Sequence, residues 1–315
     1  MIPLQGPTPD QDLQQWVDQR MAILPFSRMA GMTATSVEQG RIGLLLPARP
    51  MWCGDLERNR IHTGAICALA DTACGFAVGT SVSEPGAFAT LDLRMDYLRS
   101  ADAGRDLVCQ AHCHRLSRSV GFVTGEVRQP DSEDVIAVVN ATFMRSLPPA
   151  GRGLGGRRSL IPQPALNQVS AEALQGAAQA TSPAIPEGRS PYVDLLGVVQ
   201  HPQVNAGPVF RLPFREDLIG NPKVPAIHGG VLAGFAETVM YLHLVATAPP
   251  RGKGVPKAVD FAIDYLRPAR PMDTFAQGIT IRLGNRVSLV QANLWQEDPQ
   301  RPVAATRGHW LMPRS

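Results

Sequence analysis

Two carboxylic acids lie in the middle of the most apolar stretches of this chain. Asp71 lies in a run that opens with Ile61-His62-Thr63-Gly64, and Glu237 lies in a similar run that opens with Ile227-His228-Gly229-Gly230. An unpaired charge is costly to bury, so an acid inside an apolar helix indicates a function or a specific partner. In both runs the acid follows the histidine by nine residues (62 to 71 and 228 to 237), and the runs are 166 residues apart (62 to 228). The chain therefore contains two copies of one unit.

The spacing within each run separates the histidine from the acid. Nine helical residues rotate by about 900°, which is half a turn beyond whole turns, and rise by about 13 Å. If His62 is helical, it and Asp71 lie on opposite faces and cannot form one site. We therefore predict that each site combines the helix N-terminus of one copy with the acid of the other. Two antiparallel helices related by a pseudo-two-fold axis would provide this arrangement twice.

Such a site is suited to the hydrolysis of an activated acyl group. A helix N-terminus offers free N–H groups and the positive end of the helix dipole, which suit an oxyanion that develops on a carbonyl. A glycine at that position lets a ligand approach closely. A facing carboxylate in an apolar wall acts as a general base for water or as a direct nucleophile, and the residues themselves leave this choice open.

Hydrophobic periodicity and turn residues predict the same order of elements in both halves, namely a strand, a central helix and four strands. In the first half we predict a leading helix at 10–23, a strand at 29–46 with a turn or bulge at Gly40, an irregular segment at 47–60, the central helix at 62–81, and strands at 87–98, 106–116, 120–128 and 135–144. In the second half we predict a helical lead-in at 191–200, a strand at 204–214, a loop at 217–226, the central helix at 228–246, and strands at 257–266, 274–283, 287–296 and 303–311.

The repeat is clearest after the central helices. The segment 92–99 (DLRMDYLR) matches 260–267 (DFAIDYLR) at an offset of 168, and Arg118 matches Arg286 at the same offset. We expect an α+β fold in which each half is an antiparallel sheet wrapped around its central helix. A sheet of this kind leaves an exposed edge strand, which the second copy in the same chain would cover.

The segment between the halves differs in composition. Residues 146–190 are rich in Pro, Gly, Ala and Gln, so we predict a linker, with a short helix near 170–180, between an N-terminal domain (1–145) and a C-terminal domain (191–315). Gly151-Arg152-Gly153-Leu154-Gly155-Gly156 matches GxGxxG, but prolines follow where a phosphate-binding helix should start. We therefore interpret this motif as part of the linker.

The overall composition favours a soluble cytoplasmic protein. The net charge of +3 is too small to indicate a nucleic-acid partner, and no basic run is interleaved with aromatic residues. The five cysteines all lie in the first half, and their odd number favours reduced thiols over a disulfide framework. The first ten residues lack the pattern of a signal peptide, and no apolar run approaches membrane-spanning length without an acid, so we expect no membrane partner.

One cluster of metal-ligand residue types occurs on a predicted strand. Because side chains alternate along a strand, His112 and His114 would face one way and Cys109 and Cys113 the other. We therefore expect no metal site here.

The repeated motif resembles a known family. A His-(Gly/Thr)-Gly sequence with an acid nine residues after the His, followed by an Asp-x-x-x-Asp-Tyr-Leu-Arg strand, is similar to the hotdog-fold acyl-CoA thioesterases of the phenylacetic-acid (PaaI-like) type. The resemblance covers residues 29–145 and 191–312. It implies tandem hotdog domains that form an intrachain pseudodimer, hydrolysis of an acyl-CoA without a metal or organic cofactor, and a homo-oligomer of pseudodimers.

The resemblance also implies two unequal sites. One combines Asp71 and Thr90 with His228, with Gly229 as the oxyanion donor, and with Asn221. The other combines Glu237 with His62 and Thr63, but Ala258 stands where Thr90 stands in the first half, and Thr63 replaces the first glycine. We therefore expect the Asp71 site to be the better catalyst. Both histidines are expected to cap their helices and not to transfer protons.

Four further residues are candidates for substrate binding. Gly64 and Gly230 would let other groups approach closely at the helix N-termini. Their role would be tight packing, oxyanion binding or both. Arg118 and Arg286 would either contact the phosphates of CoA or lie solvated in turns. The acyl group is not specified by the sequence.

Two other functions fit the same sequence less well. The degenerate Thr63 and Ala258 positions would suit a non-catalytic acyl-CoA-binding sensor. A hotdog dehydratase is less favoured, because such enzymes pair a catalytic histidine with the acid, whereas here the two residues lie on different faces of the helix.

Overall fold

The computed structural model describes residues 12–82, 87–146, 181–185, 188–201, 207–222, 225–248 and 254–313, together with Pro7. The GxGxxG motif at 151–156 and the predicted helix at 170–180 lie outside these residues. The linker prediction therefore stays a prediction, although the last strand of the first half extends to Ser146.

In the first half, the residues that the structure describes form three helices and eight strands. They are α1 (Leu13–Ile23), α2 (Pro25–Ala30), β1 (Thr33–Glu38), β2 (Arg41–Leu46), β3 (Cys53–Asp55), β4 (Arg60–Ile61), α3 (Thr63–Thr80), β5 (Ala87–Tyr97), β6 (Leu107–Leu116), β7 (Val120–Arg128) and β8 (Val135–Ser146). A single 3-10 turn, Pro50–Trp52, precedes β3.

The second half repeats this order from α2 onward. Its elements are α4 (Pro191–Leu196), β9 (Val199–His201), β10 (Val209–Leu212), β11 (Ile219–Asn221), β12 (Ala226–Ile227), α5 (Gly229–Thr247), β13 (Lys257–Ala258), β14 (Asp260–Tyr265), β15 (Thr274–Arg282), β16 (Val287–Trp295) and β17 (Ala304–Leu311). The repeat extends to the short helices, since Pro25 and Phe26 of α2 correspond to Pro191 and Tyr192 of α4 at the offset of 166.

One antiparallel sheet of 13 strands runs through both halves. The strands lie in the order β1-β2-β6-β7-β8-β5-β14-β17-β16-β15-β10-β9, and β13 also pairs with β17. The halves meet where β5 pairs with β14, with Leu93 opposite Ile263. This pairing covers the edge strand that each half would otherwise expose, as the sequence predicted.

The two central helices pack against each other antiparallel and very closely. A Cβ atom added to Gly64 of α3 would lie 2.6 Å from the Cα of Gly234 in α5, and one added to Gly230 would lie 2.5 Å from the Cα of Ala68. Small residues at these four positions therefore let the two backbones touch. This contact brings the N-terminus of each helix beside the middle of the other.

Both central helices are apolar because they form the core. By length and composition alone α3 and α5 could cross a membrane, which corrects the expectation that no apolar run approaches that length. However, 89% of the apolar window of α3 and 78% of that of α5 are buried inside the fold. The surrounding strands show the matching alternation, with Leu107, Cys109 and Ala111 of β6 facing the helices.

The main differences from the predicted elements lie at the start of each half. The segment 29–46 is the end of α2 followed by a β-hairpin, because Gly31 and Gly40 adopt left-handed φ values of 70° and 73°. The segments predicted as irregular each contain a two-stranded sheet, β3–β4 and β11–β12. These strands are two or three residues long, too short for a periodic pattern to reveal.

Candidate active site

Asp71 lies at the junction of the two halves and has both of its oxygens bound. The hydroxyl of Thr90, on β5, donates to Oδ1 at 2.9 Å, and the N–H of Gly230, at the start of α5, donates to Oδ2 at 2.8 Å. The residue is buried, with 6% of its surface exposed. The structure therefore brings together the acid of one half and the helix N-terminus of the other, the arrangement that the half-turn spacing predicted.

His228 caps α5 and holds its proton away from the acid. Its Nδ1 accepts from the Gly230 N–H at 3.0 Å, so the ring proton is on Nε2, which lies 3.2 Å from the Thr72 hydroxyl oxygen. That hydroxyl donates to the carbonyl of Ala68, which leaves its oxygen free to accept. Burial lowers the pKa of His228, although the charge of Asp71 opposes this. The neutral ring thus has the capping role that the sequence predicted.

Gly229 is the partly exposed residue between the histidine and the buried Gly230. A Cβ atom at this position would lie 2.9 Å from Oδ2 of Asp71 and 3.2 Å from the hydroxyl of Tyr265, so only glycine fits without displacing the carboxylate. In the part of the chain that the structure describes, no acceptor binds the Gly229 N–H. This N–H lies at the start of α5, where it can receive a developing negative charge.

The repeated acid, Glu237, has a different environment. It is fully buried, its Oε1 accepts from the hydroxyl of Tyr97 at 2.5 Å, and its Oε2 has no partner among the described residues. Burial raises the pKa of Glu237 to about 7, against the lowering effect of the hydrogen bond from Tyr97 and of the nearby Thr63 side chain. The carboxyl of Glu237 is therefore partly protonated near neutral pH.

Two substitutions between the halves account for this difference. Thr63 occupies the position of Gly229, where a Cβ would lie only 2.9 Å from the place that Oδ2 of Asp71 takes in the other site. Ala258 occupies the position of Thr90 and has no hydroxyl to donate. The longer side chain of Glu237 reaches Tyr97 instead. The Gly64 N–H is left with the Nδ1 atom of His62 as its acceptor, at 3.0 Å.

Tyr192 packs across this second site. Its ring stacks on His62 with centroids 4.3 Å apart, and its hydroxyl lies over the helix crossing, 2.7 Å and 2.1 Å from Cβ atoms added to Gly64 and Gly234. The corresponding ring in the Asp71 site is Phe26, 4.8 Å from His228, which lacks the hydroxyl. Burial lowers the pKa of His62 to about 3, so this ring is also neutral.

Sequence reasoning missed Phe26, Tyr192 and Tyr265. Tyr265 and its counterpart Tyr97 lie in the repeated DYLR segment, so the repetition of a polar aromatic residue was an available signal. Phe26 and Tyr192 lie on helices of six residues that precede each domain's first strand, and no local pattern links them to the histidines.

The three remaining predicted site residues are Asn221, Arg118 and Arg286. Asn221 ends β11, and the neighbouring Gly220 packs against His228, so the hairpin supports the cap. Arg118 and Arg286 lie exposed in the β6–β7 and β15–β16 turns, and in the described structure neither contacts Asp71 or Glu237. Their roles in substrate binding stay predictions.

The cysteines are buried free thiols. Cys67 lies between the two sites, and the charges of Glu237 and Asp71 add to burial in raising its pKa well above the ordinary range. On β6, Cys109 and Cys113 face the core, whereas His112 and His114 lie on the outer face. These four side chains therefore cannot converge on one ion.

Comparison with known proteins identifies the family. Residues 59–147 and 225–303 each match the family model of the Thioesterase superfamily, and together these segments make up more than half of the chain. The chain belongs to the thioesterase superfamily. The two matches cover both copies of the central helix and the strands that follow them, apart from β17, so the tandem duplication is confirmed.

Individual relatives agree with this assignment. The chain is 26% identical over 134 residues to the medium/long-chain acyl-CoA thioesterase YigI of Salmonella typhimurium. This match spans 38% of this chain and 85% of that protein. A candidate thioesterase from Novosphingobium aromaticivorans has a TM-score of 0.62 at 15% identity, over 89% of this chain and 98% of that one. A hotdog-fold protein of unknown function from Alicyclobacillus acidocaldarius has a TM-score of 0.59 at 13% identity, over 90% and 96%. These structures show that the fold is a tandem hotdog.

Proposed function

We propose that this chain hydrolyses an acyl-CoA thioester at the Asp71 site. The observation that carries the proposal is the buried Asp71 carboxylate at the N-terminus of α5, next to a Gly229 N–H that no described residue uses. The family is one of thioesterases, and the matched YigI relative is described as an acyl-CoA thioesterase. Both support thioester hydrolysis as the reaction.

Each residue of the site has a role in this reaction. Asp71 either takes a proton from water, whose oxygen then attacks the thioester carbonyl, or attacks that carbonyl itself to give an anhydride that water opens. The Gly229 N–H stabilises the oxyanion that forms on the carbonyl. When this tetrahedral oxyanion collapses, the carbon–sulfur bond breaks and CoA leaves as its thiolate. Thr90 fixes the direction of the carboxylate through its bond to Oδ1. No step uses a proton on His228.

The Glu237 site is proposed not to turn over substrate. Its carboxyl accepts from the hydroxyl of Tyr97 and lies beside the Thr63 side chain, whereas the Gly64 N–H of α3 donates to His62 and not to the acid. The hydroxyl of Tyr192 also lies over Gly64, in the space beside that N-terminus. One 315-residue chain would therefore have one working site.

Asp71→Asn tests the proposal, with Glu237→Gln as its matched control. We expect Asp71→Asn to lower kcat by about a hundredfold or more, the usual contribution of a general base, while the melting temperature changes little. Glu237→Gln should keep wild-type kcat. The assay follows thiol release from octanoyl-, lauroyl-, palmitoyl- and phenylacetyl-CoA. Full activity in Asp71→Asn would show that the assignment is wrong.

An acyl-CoA sensor is the second candidate, and the closed Glu237 site is the observation that favours it. Calorimetric titration with the same acyl-CoAs separates the two functions. Binding without release of free CoA thiol would favour the sensor, whereas stoichiometric and then catalytic release would exclude it.

A further inference from the structure

Tyr265 and Asp71 are linked through a single peptide unit. The hydroxyl of Tyr265 donates to the carbonyl oxygen of Gly229 at 2.8 Å. The N–H of the same peptide unit, which belongs to Gly230, donates to Oδ2 of Asp71 at 2.8 Å. The tyrosine and the peptide come from the second half and the acid from the first, so this chain of bonds crosses the domain junction.

A bond at one end of a peptide unit strengthens the bond at the other. When a hydroxyl donates to a carbonyl oxygen, it draws charge from the amide nitrogen and makes the N–H a better donor. The acceptor here is a carboxylate, so the second bond is charge-assisted and gains most from this polarisation. Burial and the neighbouring charge of Asp71 raise the pKa of Tyr265 well above its usual range, so the hydroxyl keeps its proton.

The same hydroxyl also lies beside Gly229 itself. The point where a Cβ of Gly229 would lie is 3.2 Å from the Tyr265 hydroxyl and 2.9 Å from Oδ2 of Asp71. The tyrosine and the carboxylate thus flank the Cα of the residue whose N–H is the oxyanion donor in the proposed reaction. Without the Tyr265 bond the Gly229–Gly230 peptide is free to rotate, which would move the Gly230 N–H that holds the carboxylate.

The repeated tyrosine shows that this connection is particular to one site. Tyr97 lies at the corresponding position, 168 residues earlier, and donates directly to Glu237 at 2.5 Å. The two tyrosines therefore have the same place in the fold but different acceptors. Only Tyr265 acts on a helix N-terminal peptide that holds a carboxylate.

We propose that Tyr265 is a positioning residue of the Asp71 site, whose hydroxyl fixes and polarises the Gly229–Gly230 peptide and so holds the carboxylate aligned beside the oxyanion donor. This inference rests on the proposed hydrolysis at Asp71. It adds a residue that the sequence motif did not assign to the site.

Tyr265→Phe is the kinetic test, and Tyr97→Phe is its matched control. We expect Tyr265→Phe to lower kcat about tenfold, the effect of losing one hydrogen bond, with little change in KM. Tyr97→Phe loses the same hydroxyl and should keep both kcat and KM. An unchanged kcat in folded Tyr265→Phe would overturn the proposal.

A second measurement does not depend on activity. The amide proton of Gly230, observed by NMR, should move upfield in Tyr265→Phe and stay in place in Tyr97→Phe. Replacing Tyr265 with 3-fluorotyrosine preserves the size of the ring, makes the hydroxyl a stronger donor and should move this signal downfield, even if the Phe variant does not fold. If neither replacement moves the signal, the proposed positioning role of Tyr265 is wrong. If the signal moves but the wild type hydrolyses no acyl-CoA, the proposed function fails and the link from Tyr265 to Asp71 through the peptide stands.

Discussion

At the scale of single residues, the two acids show how one methylene group changes the chemistry of a repeated position. Asp71 is short enough to lie under the N-terminus of α5 because residue 229 is glycine, and Thr90 holds its other oxygen. Glu237 faces a threonine at the equivalent position and reaches Tyr97. One carboxylate is thus held by a charge-stabilising N–H, and the other is buried with an unpaired oxygen among the described residues.

The buried Glu237 predicts a pH-dependent stability. Burial raises the pKa of Glu237 from 4.5 to about 7, so the folded state favours the neutral carboxyl. The contribution of this group to folding stability is therefore fully present below about pH 4.5 and is lost as the pH rises through about 7. Compared with Glu237→Gln, the wild type should lose about 3 kcal/mol of unfolding free energy between about pH 4.5 and about pH 8. Urea denaturation at several pH values measures this difference. Parallel pH dependence in the two proteins would contradict the prediction.

At the scale of elements, the crossing of α3 and α5 determines where the sites lie. The close contacts of Gly64 with Gly234 and of Ala68 with Gly230 bring the helix N-termini beside the acids. The surroundings of the two contacts differ at two positions. Gly234 stands where the first half has Ala68, and Tyr192 stands where it has Phe26. The extra hydroxyl of Tyr192 fills the space left by the missing methyl group.

This exchange predicts a non-additive pair of substitutions. In Gly234→Ala the new methyl would lie 2.1 Å from the Tyr192 hydroxyl, so we expect a loss of about 1–3 kcal/mol of stability. In the Tyr192→Phe background most of this loss should disappear, because the pair then matches Ala68 and Phe26. A double-mutant cycle by urea denaturation measures the coupling.

Gly75→Ala is the control for this cycle. Gly75 lies in α3, the other central helix, and its added Cβ would make only an ordinary contact, 3.5 Å from Phe143. This variant should be neutral or slightly stabilised by the better helix propensity of alanine. If the costs of Gly234→Ala and Tyr192→Phe simply add, the hydroxyl is not what excludes the methyl group.

At the scale of the whole molecule, the two halves depend on each other. The sheet continues across the junction through β5 and β14, and each acid lies beside the helix of the other half. A pair of two N-terminal halves would place Thr63 at the position of Gly229, beside Asp71. The Cβ of that threonine would lie too close to Oδ2 of the acid. The working site therefore needs one copy of each half.

A protease site inserted between residues 150 and 160 tests this dependence. After cleavage of the folded protein, the halves should stay together on size-exclusion chromatography and keep their thioesterase activity, because the β5–β14 pairing and the α3–α5 contact do not involve the peptide that is cut. Separation under native conditions, or loss of activity while the halves remain associated, would contradict the prediction. The purified N-terminal half alone should be inactive.

Much of this organisation was determined by the sequence itself. The duplication, the two central helices and an antiparallel sheet around each helix follow from repeated spacing and periodicity, which depend on residues close together in the chain. The resemblance of the repeated motif to a known family implied the tandem hotdog fold. The nine-residue interval also required the acid and the helix N-terminus of each site to come from different halves, because the rotation per residue is a property of any α-helix.

Only the tertiary structure decided which groups meet. It directed the Gly230 N–H to Asp71 and His228 and left the Gly229 N–H without an acceptor among the described residues, an outcome that depends on how closely α3 and α5 approach. It also brought Tyr265 to the Gly229 carbonyl and Tyr192 to His62, from elements distant in the sequence. The sequence predicted that the sites are unequal. The packing supplied the reason, since Thr63 adds a Cβ where the Asp71 site has glycine, and Tyr192 adds a hydroxyl where that site has the ring of Phe26.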